Sequence, residues 1–241
     1  MLVTQEFTVK AEGKTILNDL HLDFGPGIHI IMGPNGIGKS TLAHALMGNP
    51  KYTVSGAAQL DGKDILALEP HERARAGLFV SFQNPTPIAG ISNFQFVKES
   101  LIQQEKMTNS MSDITQVLND YKDYSDVFGL PSDFHKKQLN VEASGGEKKK
   151  NEIIQMLLSK PKVSILDEPD SGLDIDSINQ LSKQLKTFAL ENDNRTVIII
   201  THYEKLIDSL SPDTVTILRK DKVEKGDVEL AYKVFEDGFG E

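Results

Sequence analysis

The 241-residue chain contains no cysteine, which excludes disulfides, thiolate metal sites and a thiol nucleophile. That fits a reducing compartment. Long apolar runs are also missing. The longest, Val197–Ile200, is strand-sized and far below the ~18 residues that span a bilayer. The start, Met-Leu-Val-Thr-Gln-Glu-Phe, lacks the charged and apolar regions of a secretory leader. Basic residues are outnumbered, 26 Lys and Arg against 35 Asp and Glu, for a formal charge of −9. Such a chain is a poor candidate for sequence-independent nucleic-acid binding, which relies on basic patches; a local one could exist around Lys148-Lys149-Lys150. No internal repeat or low-complexity tract is visible. The expectation is a soluble, cytoplasmic protein with no nucleic-acid partner and no direct membrane insertion, long enough to bury a sizeable core.

Residues 1–24 alternate loosely and suggest short strands around a turn at Glu12-Gly13. Ile28–Met32 reads as an apolar strand after Gly25-Pro26-Gly27, and Thr41–Met47 as helix. Residues 57–66 suggest a hairpin turning at Asp61-Gly62. Pro70–Ala76 reads as a short helix stopped by Gly77, followed by a strand over Leu78–Phe82. Between about 84 and 160, Ile, Leu and Phe recur at helical spacing with few strand-like runs. Ser92–Lys106, Asp113–Val127 and Gly146–Leu158 are the helices expected there. Strands return at Val163–Leu166, Thr196–Ile200 and Thr214–Leu218, with an amphipathic helix over Ile178–Leu190. Strand–helix–strand order at both ends predicts an α/β fold with a mostly parallel sheet and an inserted helical part. One domain then spans 1–241, with a core lobe from about 1–83 and 161–241 and a helical subdomain from about 84–160.

Gly33–Ser40 reads G-P-N-G-I-G-K-S, the phosphate loop G-x-x-x-x-G-K-[ST]. Its glycines let successive N–H groups turn inward around phosphates. Lys39 supplies a point charge, Ser40 a hydroxyl for Mg²⁺, and Thr41 opens a helix whose N-terminus faces the same anion. Gly33, Pro34, Asn35, Gly36, Ile37, Gly38, Lys39, Ser40 and Thr41 are therefore the candidate phosphate-binding segment. Val163–Glu168 is an apolar strand ending in two carboxylates. Asp167 is placed to orient Mg²⁺, and Glu168 to polarise an attacking water. Ala143-Ser144-Gly145-Gly146-Glu147 precedes a lysine-rich helix. It is either an ordinary N-cap or an anion site made of a hydroxyl, two N–H groups and a helix dipole.

Phosphate loop, S-G-G-E, strand-end carboxylates, Ser171-Gly172-Leu173-Asp174 and Thr201-His202 follow one another as in ABC-type ATPase domains, and the resemblance covers nearly the whole chain. It implies a P-loop NTPase core sheet with a small antiparallel β-subdomain, ATP and Mg²⁺ as ligands, and ATP hydrolysis. It further implies that Gln83 touches Mg²⁺ and senses the γ-phosphate, and that His202 hydrogen-bonds the γ-phosphate. By the same resemblance Ser144, Gly145, Gly146, Glu147 and Asp174 complete the nucleotide site, the signature acting on a second copy in a head-to-tail homodimer. Catalysis falls to Glu168, His202 and Lys39, and metal binding to Ser40, Gln83 and Asp167.

A narrower likeness lies in Q-N-P-T-P-I-A-G-I-S-N-F-Q-F over Gln83–Phe96, S-G-G-E-K-K-K-N-E-I-I over Ser144–Ile154, D-E-P-D-S-G-L-D-I-D over Asp167–Asp176 and I-I-T-H-Y over Ile199–Tyr203. These strings resemble the SufC group of ABC ATPases. That likeness implies SufB/SufD-like scaffold partners and a role in iron–sulfur cluster assembly. Transport ATPases usually carry S-G-G-Q and T-H-D at the matching places. A transporter's nucleotide-binding subunit is the alternative, and a scaffold with little turnover is a non-enzymatic one that Glu168 argues against. Departures from the family pattern are Ile37 in the phosphate loop, Ala143 before the signature and Lys222 at the expected C-terminal hairpin. In addition, no aromatic residue falls at the adenine-stacking position near Val9–Ala11. Phe7 is the nearest, and its alternation could equally point it into the core.

Overall fold

The structure is a computed structural model and describes residues 1–104, 106, 110–220 and 222–239. The chain opens with β1 (Leu2–Ala11) and β2 (Lys14–Phe24), an antiparallel pair. They are far longer than the short strands expected. Register shifts interrupt their pairing, and Glu6 and Asp19 take left-handed φ values of 50° and 51°. Such bulges break the two-residue alternation while the strand runs on, which is why the segment reads as fragments. β3 (Gly27–Met32), α1 (Lys39–Met47), β4 (Thr53–Leu60) and β5 (Lys63–Asp64) follow. The turns Glu12-Gly13 and Asp61-Gly62 both have positive φ at each residue, the geometry that matches strand twist in tight hairpins. α2 (Pro70–Ala76) carries Pro at its first turn and a Glu69–Glu72 capping box, and Gly77 ends it. β6 covers only Leu78–Val80.

The middle of the chain holds β7 (Ile88–Ser92), α3 (Asn93–Gln103), α4 (Met111–Val127), β8 (Gln138–Leu139) and α5 (Gly145–Ser159). Ser92 caps α3 through a reciprocal box with Gln95. Glu105, inside the helix expected to Lys106, lies outside the described residues. The pairing of β7 with β8 is a correction to the helical reading of this region. The last part holds β9 (Val163–Asp167), α6 (Ile175–Leu190), β10 (Thr196–Ile200), α7 (Glu204–Leu210), β11 (Thr214–Leu218), β12 (Val223–Gly226) and α8 (Val228–Asp237). At the β11–β12 hairpin, Arg219 N–H donates to Lys222 O (3.0 Å).

Two sheets carry the fold: antiparallel β2-β1-β4-β5, and β12-β11-β3-β10-β9-β6, in which only β12 runs antiparallel. The parallel strands are apolar on both faces, as burial on both sides requires. From β3, Ile28, Ile30 and Met32 enter one core and Ile31 the other; from β10, Val197 and Ile199 oppose Ile198 and Ile200. The first core is closed by the helices α3–α8, the second by α1 and the antiparallel sheet. Phe7 is fully buried in that second core, so it is not free to stack on a base.

A buried polar network fixes the helices of the insertion to one another. Tyr121 Oη on α4 donates to Asn151 Oδ1 on α5 (2.6 Å). Asn151 Nδ2 donates to Asn93 Oδ1 on α3 (2.8 Å) and to Asn140 Oδ1 (3.2 Å). Burial pushes the Tyr121 phenol well up, so it remains a donor. Tyr121→Phe removes that donor and strands a buried amide oxygen. The expected loss is about 1–3 kcal/mol in urea unfolding; an unchanged midpoint and slope would show the network to be energetically idle.

A candidate nucleotide site at the ends of the parallel strands

Residues 33–38 leave the carboxyl end of β3 and wrap into α1. Gly38 has φ 111°, which strains any other residue, and a Cβ there would lie 2.5 Å from Leu17 Cδ2, so glycine lets the loop close on the antiparallel sheet without displacing that side chain. Lys39 is buried, and its Nζ donates to Gly33 O (2.6 Å) and Pro34 O (3.1 Å). Burial lowers its pKa, and the charges of Glu168 and Asp167 oppose that. Ile37 packs its β-branched side chain against the second core.

Asp167 ends β9 with no exposed surface, and neither Oδ has a hydrogen-bond partner of ordinary geometry. Burial pushes the carboxyl up. The Ser40 hydroxyl, which faces it, pulls it down; Glu168 raises it, and Lys149 and His44 lower it. A buried carboxylate with two unpaired oxygens beside a hydroxyl is a hard-oxygen donor set of the kind Mg²⁺ takes. Glu168 follows in left-handed backbone, φ 48°, which costs about 1–3 kcal/mol for a non-glycine and concentrates at working sites. Its N–H donates to Ile200 O (2.9 Å), and its Oε2 accepts from Gln83 Nε2 (2.9 Å). His202 follows β10 and is half-buried. Its Nε2 is buried without a partner; desolvation, then Lys39, lower its pKa, and Glu168 and Asp170 oppose them. Residues 33–41, Gln83, Asp167, Glu168 and His202 are thus brought to one end of the parallel sheet.

The signature is elsewhere. Ser144 caps α5, its Oγ accepting from Glu147 N (3.2 Å) while Glu147 Oε2 accepts from Ser144 N (2.7 Å). A Cβ on Gly146 would lie 3.2 Å from Gly172 O, so the signature packs on the 171–174 loop of its own chain. Asp174 caps α6 through Ser177 N (2.7 Å). Among the described residues no hydrogen bond joins residues 144–147 to 33–41.

A family model described as ABC transporter matches residues 17–171. The chain belongs to the ABC ATPase family. It is an ATP hydrolase with an α/β P-loop fold. Along 99% of its length it is 38% identical to Vegetative protein 296 of Bacillus subtilis, covering 91% of that protein. Along its whole length it is 39% identical to the Probable ATP-dependent transporter SufC of Escherichia coli, covering 98% of it. It is 41% identical over 93% of its length to the Probable ATP-dependent transporter ycf16 of Pyropia yezoensis, covering 90% of it. In fold it is similar to a dimeric ATP-binding cassette in a post-hydrolysis state with ADP and Pi (TM-score 0.78, 21% identity, 93% of this chain and 98% of that one). An ATP-binding subunit of an ABC transporter gives a TM-score of 0.80 at 18% identity over 100% of this chain and 95% of that one.

Two residues of this ABC ATPase hold the site in a way the sequence reading does not give, Lys149 being expected only as part of a local basic patch and Glu152 not being assigned a role. Lys149 belongs to no exposed basic patch: it is buried, and its Nζ donates to Phe82 O and to Asp167 O, both at 3.0 Å. Glu152, one turn on, accepts from Phe82 N with Oε1 (2.9 Å). Together they hold Phe82, the residue before Gln83, by its N–H and by its carbonyl. The signal was available, because 149, 152, 153 and 156 share the buried phase of α5. Beside Phe82 runs an apolar groove of about 330 Å³, lined by Phe79, Ile88, Phe96 and Leu101 with Glu152 among them. Among the described residues no helix is long and apolar enough to cross a membrane.

Glu152 Oε2 is buried and unpartnered, and desolvation pushes this carboxyl up to about 7. A carboxyl raised in the fold binds more protons than in the unfolded chain between its ordinary range and about pH 7. Its contribution to stability therefore falls as pH rises through that window. Glu152→Gln keeps the acceptor for Phe82 and cannot ionise. At pH 8 it should be more stable than the parent by about 1–3 kcal/mol, with the gap closing towards pH 5. Thermal melts across that range check this, and parallel curves would contradict it.

Proposed function

We propose that this ABC ATPase hydrolyses Mg-ATP to drive conformational change in a SufB/SufD-like scaffold during iron–sulfur cluster assembly. The observation that carries the reading is 39% identity to SufC along the entire chain, joined to the signature variant Ser144-Gly145-Gly146-Glu147. The chain has no cysteine, so thiolate ligands for a cluster come from the partner. Similarity at 39% to a Probable ABC transporter ATP-binding protein of Streptococcus pyogenes favours the second reading, a transporter subunit. Purification of the native complex separates them: soluble scaffold proteins support the first, a membrane-spanning permease the second.

In this reading residues 33–41 cradle the phosphates with backbone N–H groups and the α1 dipole, and Lys39 exchanges its loop carbonyls for phosphate oxygens. Ser40 and Asp167 hold Mg²⁺ with Gln83 beside them, and the ion offsets phosphate charge. Glu168 takes the proton of the attacking water, and His202 hydrogen-bonds the γ-phosphate. Glu168→Gln keeps shape but is a far weaker base. ATP binding should persist while single-turnover hydrolysis with the scaffold present drops ~10²–10⁴-fold. A rate within about threefold of the parent, a small fraction of that range, would move the base role to another residue.

The signature completes the site of a second copy, giving two identical sites in a head-to-tail dimer. Support comes from the separation of residues 144–147 from the phosphate loop in the hydrogen-bond network. Lys39→Ala and Ser144→Arg chains, each inactive alone, should recover part of the activity when mixed, because one site of the mixed dimer keeps both motifs. Proven heterodimers without recovery would count against independently working composite sites.

A further inference from the structure

The chain turns sharply where α8 ends. Gly238 takes φ 75° and ψ −175°, a conformation open to glycine and strained for other residues, and its N–H closes the helix on Val234 O (2.9 Å). Ala231 and Val234 bury α8 in the first core, so the turn starts from a fixed element. Beyond it, Phe239 packs against that core, and its ring meets the His202 imidazole edge to face, centroids 5.7 Å apart at 88°. That is a favoured arrangement for an aromatic pair.

The backbone around His202 is already pinned. Thr201 Oγ1 donates to Asp170 Oδ1 (2.7 Å) and accepts from Tyr203 N (3.0 Å). Backbone anchoring does not aim the imidazole, because χ2 of histidine is a broad torsion. Nε2 has no hydrogen-bond partner among the described residues, so no polar contact sets that torsion at Nε2 either. The Phe239 ring contact supplies such a restraint.

We infer that Phe239 is a positioning residue for ATP hydrolysis, fixing the orientation of the His202 ring on which its contact with the γ-phosphate depends. This rests on the reading that His202 contacts that phosphate. Phe239 touches neither nucleotide nor water in this account and acts only through the histidine. The Gly238 turn is part of the device, since it directs the ring back onto the strand ends.

The test uses the full chain in single-turnover hydrolysis over a range of ATP concentrations. Phe239→Ala should lower the saturating rate about tenfold, as sub-ångström misplacement of a reacting group does. The half-saturating ATP concentration should stay within about twofold, because the phosphate loop is untouched. Phe239→Tyr keeps the ring and should restore the rate. In a His202→Ala background Phe239→Ala should add nothing. Phe239→Leu preserves bulk against the core and carries the test if the alanine variant melts early. In that variant the His202 ring-proton resonances should shift, because the neighbouring ring current is gone. Unmoved resonances with a parental rate in Phe239→Leu and Phe239→Ala would overturn the inference while leaving His202 in its role. A His202→Ala variant with the parental rate would remove the underlying reading and the inference with it. An equal, additional loss from Phe239→Ala in the His202→Ala background would mean that Phe239 acts through something else, and would also overturn it.

Discussion

Asp167 is a carboxylate with no exposed surface, and the working end of the molecule is arranged around that fact. An ionised carboxyl taken out of water without partners is strongly disfavoured. The fold supplies only partial compensation. Its own N–H donates to Ser81 Oγ, its carbonyl accepts from Lys149, and the Ser40 hydroxyl faces the side chain, yet both carboxylate oxygens stay unpaired. A group left this way is poised for a cation. The parallel sheet produces the situation directly: a strand buried on both faces delivers whatever ends it into a low-dielectric rim.

Lys149 extends the constraint to the helical part of the chain. One ammonium bonds the carbonyls of Phe82 and Asp167, so the end of β9 and the segment leading to Gln83 are tied to the same turn of α5. Glu152 adds a bond from Phe82 N, and the Tyr121–Asn151–Asn93 network fixes α5 to α4 and α3. The signature at the start of α5 and the carboxylates at the end of β9 are therefore mechanically continuous, although they serve different nucleotides in the proposed dimer. Displacement of α5 has to stretch or carry the peptide before Gln83, whose side chain already bonds Glu168.

Much of this was legible in the sequence because phosphate loops and buried strands are local patterns. The segments 33–41, 163–168 and 196–202 declare themselves through glycine spacing and unbroken aliphatic runs. What escaped is set by tertiary contact. β8 is two residues long and pairs across some fifty positions of chain, which no periodicity records. The left-handed backbone of Glu168 is imposed by its neighbours and leaves no mark on residue type. Lys149 and Glu152 look like solvated charges in a lysine-rich run until their helical phase is compared with Ile153 and Met156. Phe7 shows the opposite case: alternation left two directions open, and packing chose the core.

The reciprocal cap at the start of α5 has a further consequence. Ser144 and Glu147 spend their N–H groups on each other's side chains, so Gly145 and Gly146 are the amides left for an incoming ligand. The Glu147 carboxylate is held ionised at the same helix end, its pKa lowered by the Ser144 N–H. A bare polyanion approaching there meets like charge within a few ångströms of its two donors. One already neutralised by a cation and a lysine does not. In the proposed dimer this helix end would select by charge state as well as by shape, favouring a nucleotide phosphate already neutralised by Mg²⁺ and a lysine over free phosphate.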